Sequence, residues 1–542
     1  MACTLLWFRR DLRLRDHPAL VRAAQRGSVI PVFILDPSLL HHPETGSARV
    51  AFLLDCLRSL DQELRQRGGY LILRYGKPEQ ILPELVRQTE ADGVYALEDA
   101  ERLYGRVRDY RINQIFEREG LRIRWFAGAG LVHELMDYAN YREGWLQEMQ
   151  EAVLPIPKEI MTPPGMQTEP IPNLEALGIL PDGKPIPEGG ARAARALLQQ
   201  FLNNSLTRYH WQLSYPAADI TSRLSPYLKF GVLSIREAIH AAKRVLPSKD
   251  YRVQRSVDQF IARLRWRDGF DQRYVYLPQL ELQSLYKGFD QTEQEPEVFP
   301  AYYQAWSDGL TGFPLIDASA RCLMTTGFLN FRARALYTSF LTNLLNVDWR
   351  FGALHYMHHL IDGETCIDHY QHQMQAGITH CLDKRWTRIY NPEQRGVDRC
   401  DPDSAFIHRW VPELKDVPNE YLGSPWETSL FRPKDYPERM IDYKVQRAKR
   451  IKYLDNIRSE FRNQKNILPW INNLREDLRP FGYKLFKSEI QWAEQTSGLY
   501  PIALPLEDLD QAQAAQLRTW FTANLEIKAH DGWKKKQVTS LP

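Results

Sequence analysis

Over about the first 127 residues the apolar positions follow two periods in turn. Five short apolar runs, at 3–8, 28–35, 70–75, 93–97 and 121–126, are rich in β-branched and aromatic residues and too short for helices. Between them, apolar residues recur every three or four positions, most clearly over 47–67 and 78–89. Strand and helix in alternation predict a doubly wound parallel sheet, an α/β unit over residues 1–130. No GxGxxG follows the first run, so a dinucleotide site of the usual kind is not expected there.

Prolines at 155, 157, 163, 164, 170, 172, 181, 185 and 187 then mark a helix-free connector, 131–190. Helical periodicity begins near Gly190 and runs to about Arg458, which predicts an all-α unit over 191–460. The remainder, 461–542, holds Trp470, Trp492 and Trp520 and is expected to be partly folded, with Lys534, Lys535 and Lys536 in a loose basic tail.

The composition, 25% charged and 44% hydrophobic, is that of a folded globular chain rather than a disordered one. No apolar run is long enough to span a membrane. Arg9, Arg10, Asp11 and Arg13 stand where a signal peptide needs its apolar core. The six cysteines form no CxxC pair and are expected to be reduced thiols, so a cytoplasmic protein without bound metal is anticipated. A net charge of +3 leaves nucleic-acid binding to a local basic face.

The candidate chemistry centres on residues 221–231, TSRLSPYLKFG. Thr221, Ser222, Arg223 and Ser225 before a helix start suit a pyrophosphate, because unpaired N–H groups and a partial positive charge lie there. In isolation such a run is an ordinary N-cap. Here Tyr209 precedes it, and WRDGF (266–270), TGFPLIDASARCL (311–323), DWRFG (348–352) and RIYNPEQRGVDRCDPDSAFIHRWVPEL (388–414) follow in order. With WFRRDLRLRDHPAL (7–20) at the front, the chain resembles the cryptochrome/photolyase family of FAD-containing blue-light proteins over roughly residues 3–460.

The resemblance implies FAD folded into a U within the helical unit. Tyr209, Thr221, Ser222, Arg223, Leu224 and Ser225 are then expected along its phosphates and adenine, and Arg267 beside it. Arg334 and Asp362 take the positions of a paired arginine and aspartate next to the flavin ring. Asp368 takes the position opposite flavin N5, where repair enzymes carry Asn and plant cryptochromes carry Asp; a register slip of one would bring His369 there. A carboxyl buried at that point is pushed toward its protonated form and can protonate N5.

The lesion pocket departs from the family pattern. Trp266 and Arg332 are kept, but the usual Glu is Arg263, the His-Asn pair is Asn330-Phe331, and the Met and second Trp positions read Ala335 and Met374. The tryptophan relay keeps Trp349 only; the flavin-proximal position is His372 and the distal one Pro296, with Tyr370, Trp386 and Tyr390 as other conduits. The stretch QHQMQAG (371–377) is similar to a bacterial branch with QxQMQxG there. Arg263, Arg265, Arg332, Lys384, Arg385 and Arg388 are expected at the pocket mouth, where they suit DNA around an extruded base. Tyr104-Gly105 replaces the Asn-Glu of folate-binding members, which disfavours a folate antenna and leaves a deazaflavin, a second flavin or none. The implied function is a DNA photolyase-type lyase acting on pyrimidine dimers, or alternatively a cryptochrome photoreceptor reaching a protein partner through 461–542.

Overall fold

The computed structural model describes residues 2–463, apart from 100, 129, 133–140, 247, 277, 282–283, 285–298 and 380–387. Five parallel strands form one sheet: β1 (Ala2–Phe8), β2 (Gly27–Leu35), β3 (Ile72–Tyr75), β4 (Val94–Leu97) and β5 (Ile123–Phe126), in the order β3-β2-β1-β4-β5. All five expected runs are strands, with ends trimmed where side chains take the backbone donors. Tyr70 N–H goes to Thr162 Oγ1 at 3.3 Å and Leu71 N–H to Asp61 Oδ1 at 2.8 Å, so β3 begins only at Ile72.

The apolar runs are continuous because both faces of the sheet are covered. Leu5 and Trp7 of β1 pack with Leu82, Leu85, Val86, Ile112 and Phe116, from the helices Pro78–Thr89 and Arg102–Arg118. Leu6 and Phe8 face the other way, onto the helix Ser47–Arg65 and into a core that continues through Tyr209, Leu224, Tyr227, Phe230 and Phe260 of the helical part. The sheet and the first helices therefore share one core. The expectation of a helix-free connector is corrected: within 131–190 a helix runs Tyr141–Glu148, ahead of the prolines, with Trp145 buried and its Nε1–H on Asp268 Oδ2 at 2.8 Å. The proline-marked stretch after it is extended apart from one turn at Glu175–Leu177, and it lies back on the sheet side, with Val29 N–H donating to Met161 O at 2.9 Å.

The helical part places the expected site residues on four elements. Arg263, Trp266 and Arg267 ride on the 26-residue helix Tyr251–Tyr276. The helix Phe331–Ser339 carries Arg332 and Arg334, and Asn330 caps it by accepting the Arg332 N–H at 2.8 Å. Trp349 opens Trp349–His359 under an Asp348 cap, and Asp368, His372 and Met374 lie on Thr365–Gln375. The helix expected to open within 221–231 is Ser225–Lys229, and residues 221–224 approach it irregularly, with Arg223 at φ 53°. It is short because Gly231 turns away at φ 59° and packs against the Arg10 carbonyl, where a Cβ would overlap that oxygen. This close approach seats the loop after β1 against the helical part, and Arg13 Nη1 donates to Gly231 O at 2.9 Å.

Among the described residues, no helix is long and apolar enough to cross a membrane. Pro296, Cys381, Lys384, Arg385 and Trp386, and the extension from 464 onward, lie outside the described residues.

Candidate functional site

Arg334 and Asp362 form a two-toothed ion pair, with Nη2 at 2.9 and 2.8 Å from the two carboxylate oxygens. Arg334 Nε is held by the Leu329 carbonyl at 2.8 Å, which leaves Nη1 facing Asp368 Oδ1 at 3.9 Å. The Asp368 side chain is buried, and its Oδ2 accepts the Glu364 N–H at 2.8 Å. Burial raises its pKa to about 6 against the opposing pull of Arg334. A carboxyl that can hold a proton thus stands beside a guanidinium donor. That donor set fits the edge of a flavin ring, with its ring nitrogens and carbonyls.

His372, one turn on, is a neutral imidazole because burial pushes its pKa down to about 3. Its Nδ1–H donates to the Asp368 carbonyl at 2.7 Å and its Nε2 faces Thr338 Oγ1 at 3.3 Å.

Behind this wall lies a charge cluster that sequence reasoning did not find. Glu364 accepts from Arg10 Nη1 at 2.7 Å and from Arg267 Nη2 at 2.8 and 2.9 Å. Arg267 Nη1 also meets Asp268 at 3.3 Å and Asp271 at 3.2 Å, and its Nη2 reaches the Leu228 carbonyl at 3.3 Å. Arg267, expected beside the cofactor, thus also ties the helix Tyr251–Tyr276 to Glu364. Asp271, Glu364 and Cys366 offer metal-type donors within 4.8 Å of one another, but the two guanidiniums already occupy the Glu364 carboxylate. Arg49 was also missed. It is buried, gives its donors to the Leu360 and Glu44 carbonyls, and packs on Gly363 beside Asp362. The DGE run at 362–364 was the available sequence signal for Glu364. Arg49 had none.

The residues expected along the phosphates and adenine vary in exposure. Thr221, Ser222 and Ser225 are half-buried, Leu224 is buried, and Tyr209 packs edge-on to Phe201 at 5.1 Å. Arg223 is exposed, paired with Asp219 at 2.6 Å and stacked 4.0 Å above the Phe328 ring, which Arg334 also approaches at 5.9 Å. Phe328 therefore links the 221–225 strip to the Arg334–Asp362 pair.

The mouth is aromatic and cationic. Trp266 is 52% exposed. The Arg263 guanidinium lies 4.6 Å from its ring and 4.5 Å from that of Phe331. Arg332 donates to the Tyr390 hydroxyl at 3.1 Å and sits 3.5 Å from Ser214 Oγ. Arg265 is half-buried and Arg388 exposed. Met374, by contrast, packs on the cluster that holds Trp349 and Tyr370. Of the expected electron conduits, Trp349 is buried with its Nε1–H on Ser284 Oγ at 2.8 Å, and Tyr370 packs on Phe270 at 5.3 Å. A more continuous column was not anticipated. Trp306 stacks on Tyr337 at 4.0 Å and 14°, Tyr337 on Tyr356 at 5.8 Å and 18°, and Tyr356 meets His372 edge-on at 4.6 Å.

A separate cavity of about 950 Å³, counted with its solvent-filled mouth, opens at the carboxyl ends of β1 and β2, against the helical part. Phe8, Arg10, Asp36, Arg49 and Lys229 line it. Tyr104 borders it through Asp36, to which its hydroxyl donates at 2.8 Å. None of Tyr209, Arg334, Asp362 or Asp368 lines it, so it is distinct from the flavin wall.

Two family models match the chain: "DNA photolyase" over residues 4–144 and "FAD binding domain of DNA photolyase" over 260–456. A deoxyribodipyrimidine photo-lyase from Synechococcus sp. is 32% identical over 478 residues, 83% of this chain and 96% of the relative. A protein named Cryptochrome DASH from Natronomonas pharaonis is 29% identical over 82% of this chain and 98% of its own length. The solved structure of an archaeal photolyase from Sulfolobus tokodaii, described as having two FAD molecules that imply a novel light-harvesting cofactor, superposes with a TM-score of 0.70 at 27% identity, covering 84% of this chain and 99% of that one.

Proposed function

The chain belongs to the DNA photolyase/cryptochrome family, and from that premise we propose that it is a light-driven lyase acting on pyrimidine dimers in DNA. Its helical part is the FAD-binding domain of the family. The reaction is the redox-neutral cleavage of the two C–C bonds that join dimerised pyrimidines. Bound FAD supplies blue-light absorption and the exchangeable electron. The observation that carries the reading is the course of one helix, Phe331–Ser339. Its first turn puts Phe331 and Arg332 at the cationic mouth beside Trp266, and Arg334 reaches the buried Asp362–Asp368 wall.

In this reading Arg334 orients the ring edge, Asp368 holds a proton there, and Tyr209 and residues 221–225 line the phosphate side. Trp266 stacks on the extruded base, and Arg332, with Arg385 from outside the described residues, draws in the strand. The units are taken as 1–130, 131–190, 191–460 and 461–542. Oligonucleotides carrying dimers, incubated with the protein under blue light beside a dark control, are expected to lose their dimers only in light. A flavin-loaded protein that repairs neither dimer type overturns this in favour of the photoreceptor reading, in which 461–542 contacts a protein partner. The replaced lesion contacts at 263, 331, 335 and 374 are what favours that alternative.

The cavity at the strand ends suits the antenna. Lys229 is buried there, and burial with Arg49 and Arg10 nearby lowers its pKa to about 8 against the opposing pull of Glu364 and Glu101. The cationic lining suits an anionic chromophore, and Tyr104-Gly105 in place of Asn-Glu is what favours a deazaflavin or a flavin over a folate. Mass spectrometry of the chromophores released on denaturation checks this, and recovery of a folate overturns it.

The stacked column replaces the interrupted tryptophan relay. An external thiol supplies the electron that enters it, and Tyr356→Leu is expected to slow light-driven flavin reduction several-fold. If Trp349→Phe abolishes that reduction while Tyr356→Leu leaves it intact, the electron travels through Trp349 instead.

A further inference from the structure

Arg263 is a half-buried cation. Its guanidinium lies over the rings of Trp266 and Phe331, at 4.6 and 4.5 Å, which leaves its in-plane N–H edge for a ligand. Its Nε is shielded from solvent without a hydrogen-bond partner. The groups that bear on its charge are the Tyr209 hydroxyl and Arg332; among the described residues no carboxylate pairs with it. A shielded donor of this kind requires an acceptor, and among the described residues none meets Nε. The acceptors are therefore the ligand's.

We propose that Arg263 reads the pairing edge of the extruded pyrimidine and selects lesions with adjacent acceptors on that edge, namely cytosine-containing cyclobutane dimers, over thymine dimers. The inference rests on the lyase reading and names its substrate class. A guanidinium fork held in one plane matches two neighbouring in-plane acceptors, as it does on the guanine edge. Cytosine offers N3 and O2 side by side. Thymine presents an N3–H between its carbonyls, and that donor would face the donors of Arg263. Phosphate is the other acceptor in reach of arginine. The guanidinium lies against the Trp266 ring, however, in the layer where a stacked base lies rather than along the outside of the strand.

The test is dark equilibrium binding, by fluorescence anisotropy, of otherwise identical oligonucleotides. They carry one thymine–thymine cyclobutane dimer, one cytosine-containing cyclobutane dimer, one (6-4) photoproduct, or no lesion. Wild type is expected to prefer the cytosine-containing dimer to the thymine dimer by about tenfold or more, the range of a good two-toothed base contact. Arg263→Gln should remove the preference and Arg263→Glu reverse it, with flavin absorbance and thermal midpoint unchanged as checks on the pocket. The pyrimidone ring of the (6-4) product also carries adjacent N3 and O2 acceptors. Tight binding of it shows that the acceptor edge is read; weak binding narrows the class to cytosine dimers. Equal wild-type affinity for the two cyclobutane dimers overturns the proposal. So does an Arg263→Gln loss that is uniform across all four strands and lowers the salt slope by about one, the mark of a phosphate contact. No preference for damaged over undamaged DNA overturns the lyase reading itself.

Discussion

Glu364→Gln is expected to lower the stability of the protein by about 3 kcal/mol and to empty the flavin site, because it leaves two buried guanidiniums short of a partner. Glu364 is the one carboxylate shared by Arg10, from the loop after β1, and Arg267, from the helix Tyr251–Tyr276. The loss falls at the low end for a broken buried pair, since Arg10 keeps Asp99 at 2.9 Å and Arg267 keeps Asp268 and Asp271. Burial alone would raise the Glu364 pKa, yet Arg267, Arg10 and Lys229 hold it below the ordinary value of 4.5. Its contribution is therefore present above that value and disappears as pH falls below it, and the variant should lack that part of the acid destabilisation. The backbone N–H of Glu364 also fixes Asp368, so disorder here reaches the flavin wall. Urea midpoints across pH, with flavin retention on gel filtration, test this. A variant that keeps both its midpoint and its flavin shows that the cluster does not hold the site.

The parts of the fold that were readable from sequence are those with a local cause. A sheet covered on both faces yields unbroken apolar runs, so β1 to β5 stood out. The Arg334–Asp362 pair and Asp368 were reached through the order of short motifs. Those motifs mark the turns and helix starts that fix their side chains. The unread parts depend on residues far apart in the chain. Arg10 and Glu364 are 354 positions apart, and no periodicity reports their pairing. Arg267 stood in a recognisable motif and its contacts with Asp268 and Asp271 are local, but its pairing with Glu364, 97 positions on, has no local signal. The same holds for Trp306, Tyr337 and Tyr356: each reads as an ordinary core aromatic on its own helix, and the column exists only once three helices pack. At residue 221 the hydroxyls and the arginine were read as a helix start, yet the close approach of Gly231 to the loop after β1 decides where that helix runs.

Asp368→Asn is expected to change two pH profiles at once, and in opposite senses. Burial, opposed by Arg334, raises the Asp368 pKa from 3.8 to about 6. A carboxyl whose pKa is raised by folding costs nothing below its unfolded value and destabilises as pH rises through the folded one. Relative to wild type, the flavin-free Asn variant should therefore gain on the order of 2–3 kcal/mol at pH 8 and nothing at pH 4. The amide can still accept the Glu364 N–H, so the helix start is kept. Light-driven reduction of the bound flavin moves the other way. In wild type it should fall as pH rises through about 6, where Asp368 loses the proton it holds at the ring edge. In the variant it should be flat over that window, because an amide has no such proton. Stability and photoreduction are measured separately, so a general loosening of the pocket cannot imitate both results. If the variant keeps the wild-type fall in photoreduction while the stability difference appears as expected, Asp368 is buried as described but is not the proton donor. His369 would then be next to test. It is buried with its Nε2 3.1 Å from Glu44 Oε1, and that partner raises its pKa against burial. His369→Asn flattening the profile would move the donor by that one residue.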